Sequence, residues 1–177
     1  MTNTIISNSI RFVVLILLQV LLLNNINFLG YVNPYLYILF LILYPFNSPQ
    51  SLFLILAFLL GLSLDTFEDS GGIHAAACVF IAYIRPIILR FSFGISYDYQ
   101  TVKLTNTPYG ARISYILIVV ILHHFVLFTL EMFSFTHIFL ILKKTFFTSI
   151  FTILMILISL TLFQPRRKWE DYCYISL

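Results

Sequence analysis

Ionisable side chains within apolar segments are the first candidates for chemistry, because a charge inside a membrane is costly and such residues are functional candidates by default. The sequence contains few residues of this kind: Asp65, His74, Arg85, His123, His124 and Glu131. A carboxylate near a histidine can relay protons, histidines can bind a metal, and an arginine can pair with an acid or a phosphate. Each possibility competes with a purely structural contact.

The motifs of known catalytic centres are absent from the sequence. It contains no HExxH, GxSxG or CxxC pattern and no Walker-type glycine loop. The side chains of His123 and His124 point about 100° apart on a regular helix and cannot both ligate one metal ion. No nucleophile, base and orienting group can be assigned together. We therefore predict no enzymatic activity, no cofactor and no metal site, and an intramembrane enzyme is the least favoured class.

Asp65 ends the third apolar segment, four residues after Gly61, so the carboxylate and the glycine share one helix face. Two interpretations are about equally supported: a polar anchor for a neighbouring helix or partner, and an outer-loop acid that touches the bilayer edge. His74 follows after a short turn and can hydrogen-bond Asp65. We favour a structural pair over a proton relay.

Small residues open the fourth apolar segment. Gly71 with Ala75, and Gly72 with Ala76, form two small-xxx-small pairs, a spacing that lets helix backbones approach closely in lipid. We expect helix packing within the chain at these positions rather than a partner interface.

Arg85 stands near the end of the same segment and is followed by Pro86. The proline removes one helical hydrogen bond and is expected to kink the chain. We favour an Arg85 side chain that snorkels to the lipid headgroups. Pairing with an acid or a phosphate inside the helical bundle is the alternative.

The amino-acid composition indicates the class of protein in which these residues lie. Hydrophobic residues make up 60% of the 177 residues and charged residues 10%, with a mean hydropathy of +0.99, whereas a soluble domain carries roughly 25% charge. The sequence therefore predicts an all-α integral membrane protein, a single transmembrane helical domain over residues 1–177 that contacts lipid and no nucleic acid. The two cysteines, Cys78 and Cys173, have neither metal-ligand nor redox spacing.

A helix needs about 20 residues to cross the hydrocarbon core. Six apolar segments approach this length, at residues 5–23, 29–44, 51–64, 73–89, 113–133 and 145–163. No small-x-small cleavage site follows the first segment, which we therefore interpret as an uncleaved span. The second and third segments are short, and four or five crossings plus a re-entrant pair is the alternative to six spans.

The positive-inside rule sets the predicted orientation. With a cytoplasmic N-terminus, seven basic residues lie inside and two outside, so both termini are expected in the cytoplasm. The inside set is Arg11, Arg90, Lys103, Arg112, Arg166, Arg167 and Lys168, and the outside set is Lys143 and Lys144.

Three stretches in the middle of the sequence resemble one family. They are Gly61-Leu62-Ser63-Leu64-Asp65, Gly71-Gly72-Ile73-His74-Ala75-Ala76-Ala77 and Ala82-Tyr83-Ile84-Arg85-Pro86. Their order and spacing resemble the rod shape-determining protein MreD, in the form found in Bacteroidetes. The stretches Gly30–Tyr37 and Leu43–Phe46 extend the resemblance toward the N-terminus, and the C-terminal half agrees in hydropathy alone.

The resemblance implies a non-enzymatic scaffold of the bacterial cell-elongation machinery in the cytoplasmic (inner) membrane. Members associate with MreC, a single-span periplasmic protein, and directly or indirectly with MreB, RodA and a class B transpeptidase in peptidoglycan synthesis. Gly61, Asp65 and Gly72 match the family's most recognisable positions, where we expect structural or partner contacts.

The family is also similar in fold to the substrate-binding subunits of energy-coupling-factor vitamin transporters. A small-molecule carrier of that kind is the alternative function. Its candidate ligand-binding residues here are Tyr115, His123, His124 and Glu131, which occupy one segment.

Overall fold

The computed structural model describes residues 2–25, 33–94, 107–133 and 135–163, and every regular element among them is helical. One turn of 3₁₀ helix follows α1 at Leu23–Asn25, and another precedes α6 at Phe135–His137. The α-helices are α1 Thr2–Leu21, α2 Ile38–Leu43, α3 Gln50–Glu68, α4 Ile73–Phe93, α5 Tyr109–Met132 and α6 Ile138–Phe163.

Four of these helices, α3 to α6, are long and apolar enough to cross a membrane, and α1 contains a shorter apolar stretch, Ile6–Leu21. Large apolar side chains face outward from the helices: Tyr83 and Phe91 of α4 are 70% and 77% exposed. A soluble protein would bury such a surface, whereas lipid tails are its natural surroundings. The predicted all-α membrane class is confirmed.

The second predicted span, residues 29–44, is wrong as a regular membrane-spanning helix. Its first four residues lie outside the described residues, 33–37 are not helical, and α2 contains six residues. The sequence Asn33-Pro34 explains why no helix forms at the start of this segment and why α2 begins only at Ile38. A proline disfavours helical geometry in the residue before it and has no N–H to donate. The third segment is longer than predicted, because α3 continues from Leu64 through Asp65 to Glu68.

The chain nevertheless returns across the bundle between α1 and α3. Asn24 Nδ2 donates to Glu68 Oε1 over 2.8 Å, which joins the C-terminal ends of these two helices, so they run in the same direction. The Tyr44 carbonyl accepts a hydrogen bond from Arg85, in the second half of the antiparallel helix α4. Residues 33–44, called the return segment below, therefore lead through the interior to the opposite end.

The return segment is largely buried, and side chains from other elements hydrogen-bond to three of its non-helical backbone groups. Gln19 of α1 accepts from the Leu36 N–H over 2.9 Å and donates to the Pro34 carbonyl over 3.1 Å. The Tyr35 N–H donates to Thr152 Oγ1 of α6 over 3.2 Å. Irregular backbone at membrane depth is tolerated only where protein covers it and its polar groups are paired. Helices α1 and α6 supply this pairing.

Charged side chains divide between the two ends of the bundle. Glu68 shares one end with the Glu131–Lys144 pair, and Arg90 and Arg112 lie toward the other. The predicted orientation requires this division, but which end faces the cytoplasm stays a prediction. Several residues used in the sequence analysis lie outside the described residues: Gly30, Tyr31, Val32, Lys103, Arg166, Arg167, Lys168 and Cys173.

Candidate functional site

Asp65 lies at the corner between α3 and α4 and caps the first turn of α4. Its side chain is buried, and Oδ1 accepts from Ser70 Oγ over 2.5 Å and from the His74 N–H over 2.9 Å. Its Oδ2 accepts from the Ala75 N–H over 2.9 Å. The first N–H groups of a helix have no partner within it, and the N-cap residue here, Gly72, has no side chain to offer them. Asp65 supplies that cap from the preceding helix.

His74 lies between two carboxylates of α3. Its Nδ1 is 3.0 Å from Asp65 Oδ1 and 3.0 Å from Ser70 Oγ. Its Nε2 is 3.3 Å from Glu68 Oε2, a distance typical of an ion pair but without hydrogen-bond alignment. Glu68 also accepts from Asn24, so this corner joins α1, α3 and α4. Asp65 and His74 are in contact, as the short turn between them predicted.

The close approach of α3 to α4 occurs at Gly61. A Cβ placed on Gly61 would lie 2.4 Å from Ala75 Cα, so no larger residue fits there unless the helices separate. The expectation that Gly71 and Gly72 pack against a helix is wrong. Both have positive φ, +66° and +95°, and a Cβ on either would meet no atom within 4 Å. They form the left-handed turn that glycine favours, and Ala76 faces outward.

Arg85 does not snorkel, because its side chain is only 4% exposed. Its Nε donates to the Tyr115 hydroxyl over 3.1 Å, and its Nη2 donates to the Tyr44 carbonyl that follows α2. The guanidinium carbon lies 4.4 Å from the centre of the Phe53 ring and 5.0 Å from that of Phe46. A cation is favourable at a helix C-terminus and over aromatic faces. Arg85 therefore anchors the far end of the return segment.

Pro86 lies within α4, and the helix continues past it to Phe93. The proline has no N–H for the carbonyl of Ala82, four residues earlier. Gln50 Nε2, from the first turn of α3, donates to that carbonyl over 2.6 Å. A side chain of the neighbouring helix thus replaces the missing bond.

His123 and His124 are fully buried and contact three other elements. His123 Nε2 lies 3.2 Å from the Tyr37 hydroxyl and 3.9 Å from Cys78 Sγ. His124 Nε2 lies 3.0 Å from Thr152 Oγ1. The return segment, α4 and α6 therefore all meet the histidine pair, and we call these five residues the interior polar cluster.

The other two candidate ligand-binding residues of α5 lie elsewhere. Tyr115 contacts Arg85, as described above. Glu131 is 41% exposed and pairs with Lys144 of α6 over 2.9 Å at the end of the bundle. In the described part of the chain, no group of three histidine, cysteine or acidic side chains is arranged to hold a metal ion.

Several residues of this network were missed by the sequence analysis. Gln19 is the one polar residue between Phe12 and Leu23, and a buried amide needs partners, so its position was a usable signal. Tyr37 and Thr152 gave no comparable signal, because tyrosine and threonine are common in membrane helices and their partners are far away in the sequence.

Comparison with known proteins found no similarity: no protein-family model, no curated protein and no solved structure matches this chain.

Proposed function

We propose that the protein is a non-enzymatic scaffold of the bacterial cell-elongation machinery, embedded in the cytoplasmic membrane with both termini in the cytoplasm. In this proposal it binds MreC and thereby helps to organise peptidoglycan synthesis together with MreB, RodA and a class B transpeptidase. The sequence resemblance to the MreD family is the origin of the proposal. Within the membrane, the proposed contacts are with the transmembrane helices of partner proteins and with lipid.

One structural observation supports a scaffold over an enzyme. Four residues that carry the resemblance are committed to contacts within the chain: Gly61 lies against α4, Asp65 caps α4, His74 joins the two acids of α3, and Arg85 holds the return segment. The Asp65 carboxylate and the Arg85 guanidinium are therefore already engaged in contacts within the chain. This pattern is expected for residues that fix the shape of a helical hairpin.

The hairpin of α3 and α4 presents a wide apolar outer face. Ile55 and Phe58 of α3 are 57% and 46% exposed, and Phe80 and Tyr83 of α4 are 40% and 70% exposed. Helices associate in lipid by packing such side chains against one another, without any need for charge. The stretches that carry the family resemblance lie on α3 and α4, and we therefore propose that the transmembrane helix of MreC packs on this face.

The test is co-purification with MreC from detergent extracts of a rod-shaped host. Replacing both Phe80 and Tyr83 by alanine removes the two large side chains of α4 from the proposed face. We expect this variant to lose MreC. The matched control replaces Phe146 and Phe147, which are 63% and 41% exposed on a different helix, α6.

The control variant is expected to retain MreC, and both variants should retain the melting temperature of the parent. If the parent protein never associates with MreC, the scaffold proposal fails. If both double variants bind MreC equally well, the assignment to the outer face of α3 and α4 fails.

A small-molecule carrier is the second candidate, and the interior polar cluster is the observation that favours it. The two histidines of α5 meet Tyr37, Cys78 and Thr152 from three other elements, so polar and aromatic groups do converge inside the bundle. A carrier needs such convergence. A panel of vitamins should then raise the melting temperature of the purified protein, and His124→Ala should abolish that rise.

A further inference from the structure

Four hydroxyl residues lie along one face of α6. Thr145, Thr148, Ser149 and Thr152 follow one another at helical spacings of three, one and three residues, which places them on a common face. All four are buried, with exposures of 6%, 0%, 3% and 0%. This face is polar within an otherwise strongly apolar helix, and it lies against the rest of the bundle.

The four hydroxyls differ in their hydrogen bonds. Thr152 accepts from the Tyr35 N–H and lies 3.0 Å from His124 Nε2. No described atom hydrogen-bonds to the hydroxyls of Thr145, Thr148 or Ser149, which we call the hydroxyl seam. Buried polar groups in native proteins are nearly always hydrogen-bonded, to protein or to ordered water. Three adjacent exceptions on one face need an explanation.

Three hydroxyls on other described turns provide an internal comparison, whereas Ser92 of α4 is, like the hydroxyl seam, buried without a described partner. Ser63 donates to the Leu59 carbonyl, Thr129 to that of Phe125 and Ser159 to that of Met155, over 2.7, 2.6 and 2.8 Å. Each of these side chains bonds to the carbonyl four residues earlier, the usual arrangement for a hydroxyl in a membrane helix. The residues of the hydroxyl seam do not, although α6 offers them the same carbonyls.

The two ends of the hydroxyl seam lead to different surroundings. Thr145 directly follows Lys144, whose ammonium pairs with the partly exposed carboxylate of Glu131 at the end of the bundle. Ser149 is one helical turn from Thr152, which contacts His124 of the interior polar cluster. The hydroxyl seam thus extends from the bundle end toward a fully buried histidine.

We propose that the hydroxyl seam binds a short chain of water molecules that connects the Glu131–Lys144 pair with the Thr152–His124 contact. Buried waters typically make about three hydrogen bonds to polar groups that otherwise lack partners. The three hydroxyls supply such groups at successive depths. In this proposal the water chain ends next to His124, a fully buried histidine, and it does not depend on the scaffold function.

Cysteine labelling tests the water directly. In a background with Cys78→Ala and Cys173→Ser, the variant Ser149→Cys is treated in native membranes with a small cationic methanethiosulfonate. We expect labelling roughly tenfold faster than for Ile150→Cys, which lies at the same depth of α6 on its exposed apolar side, because only the thiolate reacts and apolar surroundings suppress it. Equal labelling of the two positions would overturn the proposal.

A second measurement does not depend on reagent access. Thr148→Val keeps the side-chain shape and removes the hydroxyl. If waters bind there, the melting temperature falls, since they lose a partner. If the seam is dry, removal of an unpaired buried hydroxyl raises the melting temperature, and that result contradicts the proposal. Thr129→Val is the control, because its hydroxyl bonds to its own helix, and should change the melting temperature less than Thr148→Val.

Discussion

Gly61 and Ala75 are the point at which α3 and α4 touch through their backbones. A Cβ on Gly61 would lie 2.4 Å from the Ala75 Cα and 2.5 Å from its nitrogen. The same Ala75 nitrogen donates to Asp65, so the close approach and the cap of α4 depend on one another. Separating the helices at Gly61 would draw the carboxylate away from the N–H groups that it satisfies.

Gly61→Ala should therefore destabilise the protein by about 1–3 kcal/mol, the usual cost of overpacking. The conflicting atoms belong to backbone and cannot rotate away. Gly110→Ala is the matched control, because Gly110 lies in the first turn of α5 and a Cβ there would meet nothing within 4 Å. We expect it to be neutral or slightly stabilising. Thermal unfolding in detergent measures both, and equal melting temperatures would contradict the close approach.

Asp65→Asn should cost about 1–2 kcal/mol, because an amide cannot accept at both of its ends as the carboxylate does toward α4. Asp69→Asn is the control. Asp69 is exposed and has a φ of +52°, a conformation that asparagine tolerates well. We expect Asp69→Asn to unfold at the parent temperature. The cap would be disproved if the two substitutions had the same effect.

Gln19→Leu should destabilise the return segment. The substitution leaves the Leu36 N–H and the Pro34 carbonyl buried without partners, at about 1–3 kcal/mol for each group. Ser63→Ala, which removes a hydroxyl bonded only within its own helix, is the control and should have little effect. Chemical unfolding followed by circular dichroism distinguishes the two variants. A Gln19→Leu protein as stable as the control would show that the amide contributes nothing.

Gln50 and Pro86 should be energetically coupled through the Ala82 carbonyl. With Pro86 present, Gln50→Ala leaves this carbonyl unpaired and should cost about 1 kcal/mol or more. In a Pro86→Ala background the residue 86 N–H can bond to Ala82, so the same Gln50→Ala change should cost less. A double-mutant cycle of unfolding free energies measures the difference. Additive effects would mean that Gln50 does not compensate for the proline.

Much of the fold was predictable from apolar length and turn residues. Helices α3 to α6 coincide with predicted segments to within a few residues, although α6 begins seven residues early, at Ile138. The contact between Asp65 and His74 was also predictable, because a short turn brings the two together. These features depend on neighbours in the sequence.

The sequence by itself determined that the protein is a helical membrane protein, since its apolar segments are too many and too long for most of its surface to face water, and only lipid can surround them. Only the tertiary structure decided that the chain returns as a broken segment, that Arg85 is buried and that His123 and His124 meet three other elements. Hydropathy indicates that a residue avoids water, but it does not distinguish a residue that faces lipid from one that packs against protein. The partners that distinguish the two, such as Gln19 for Leu36 and Thr152 for Tyr35, lie 17 and 117 residues away, so packing alone brings them together.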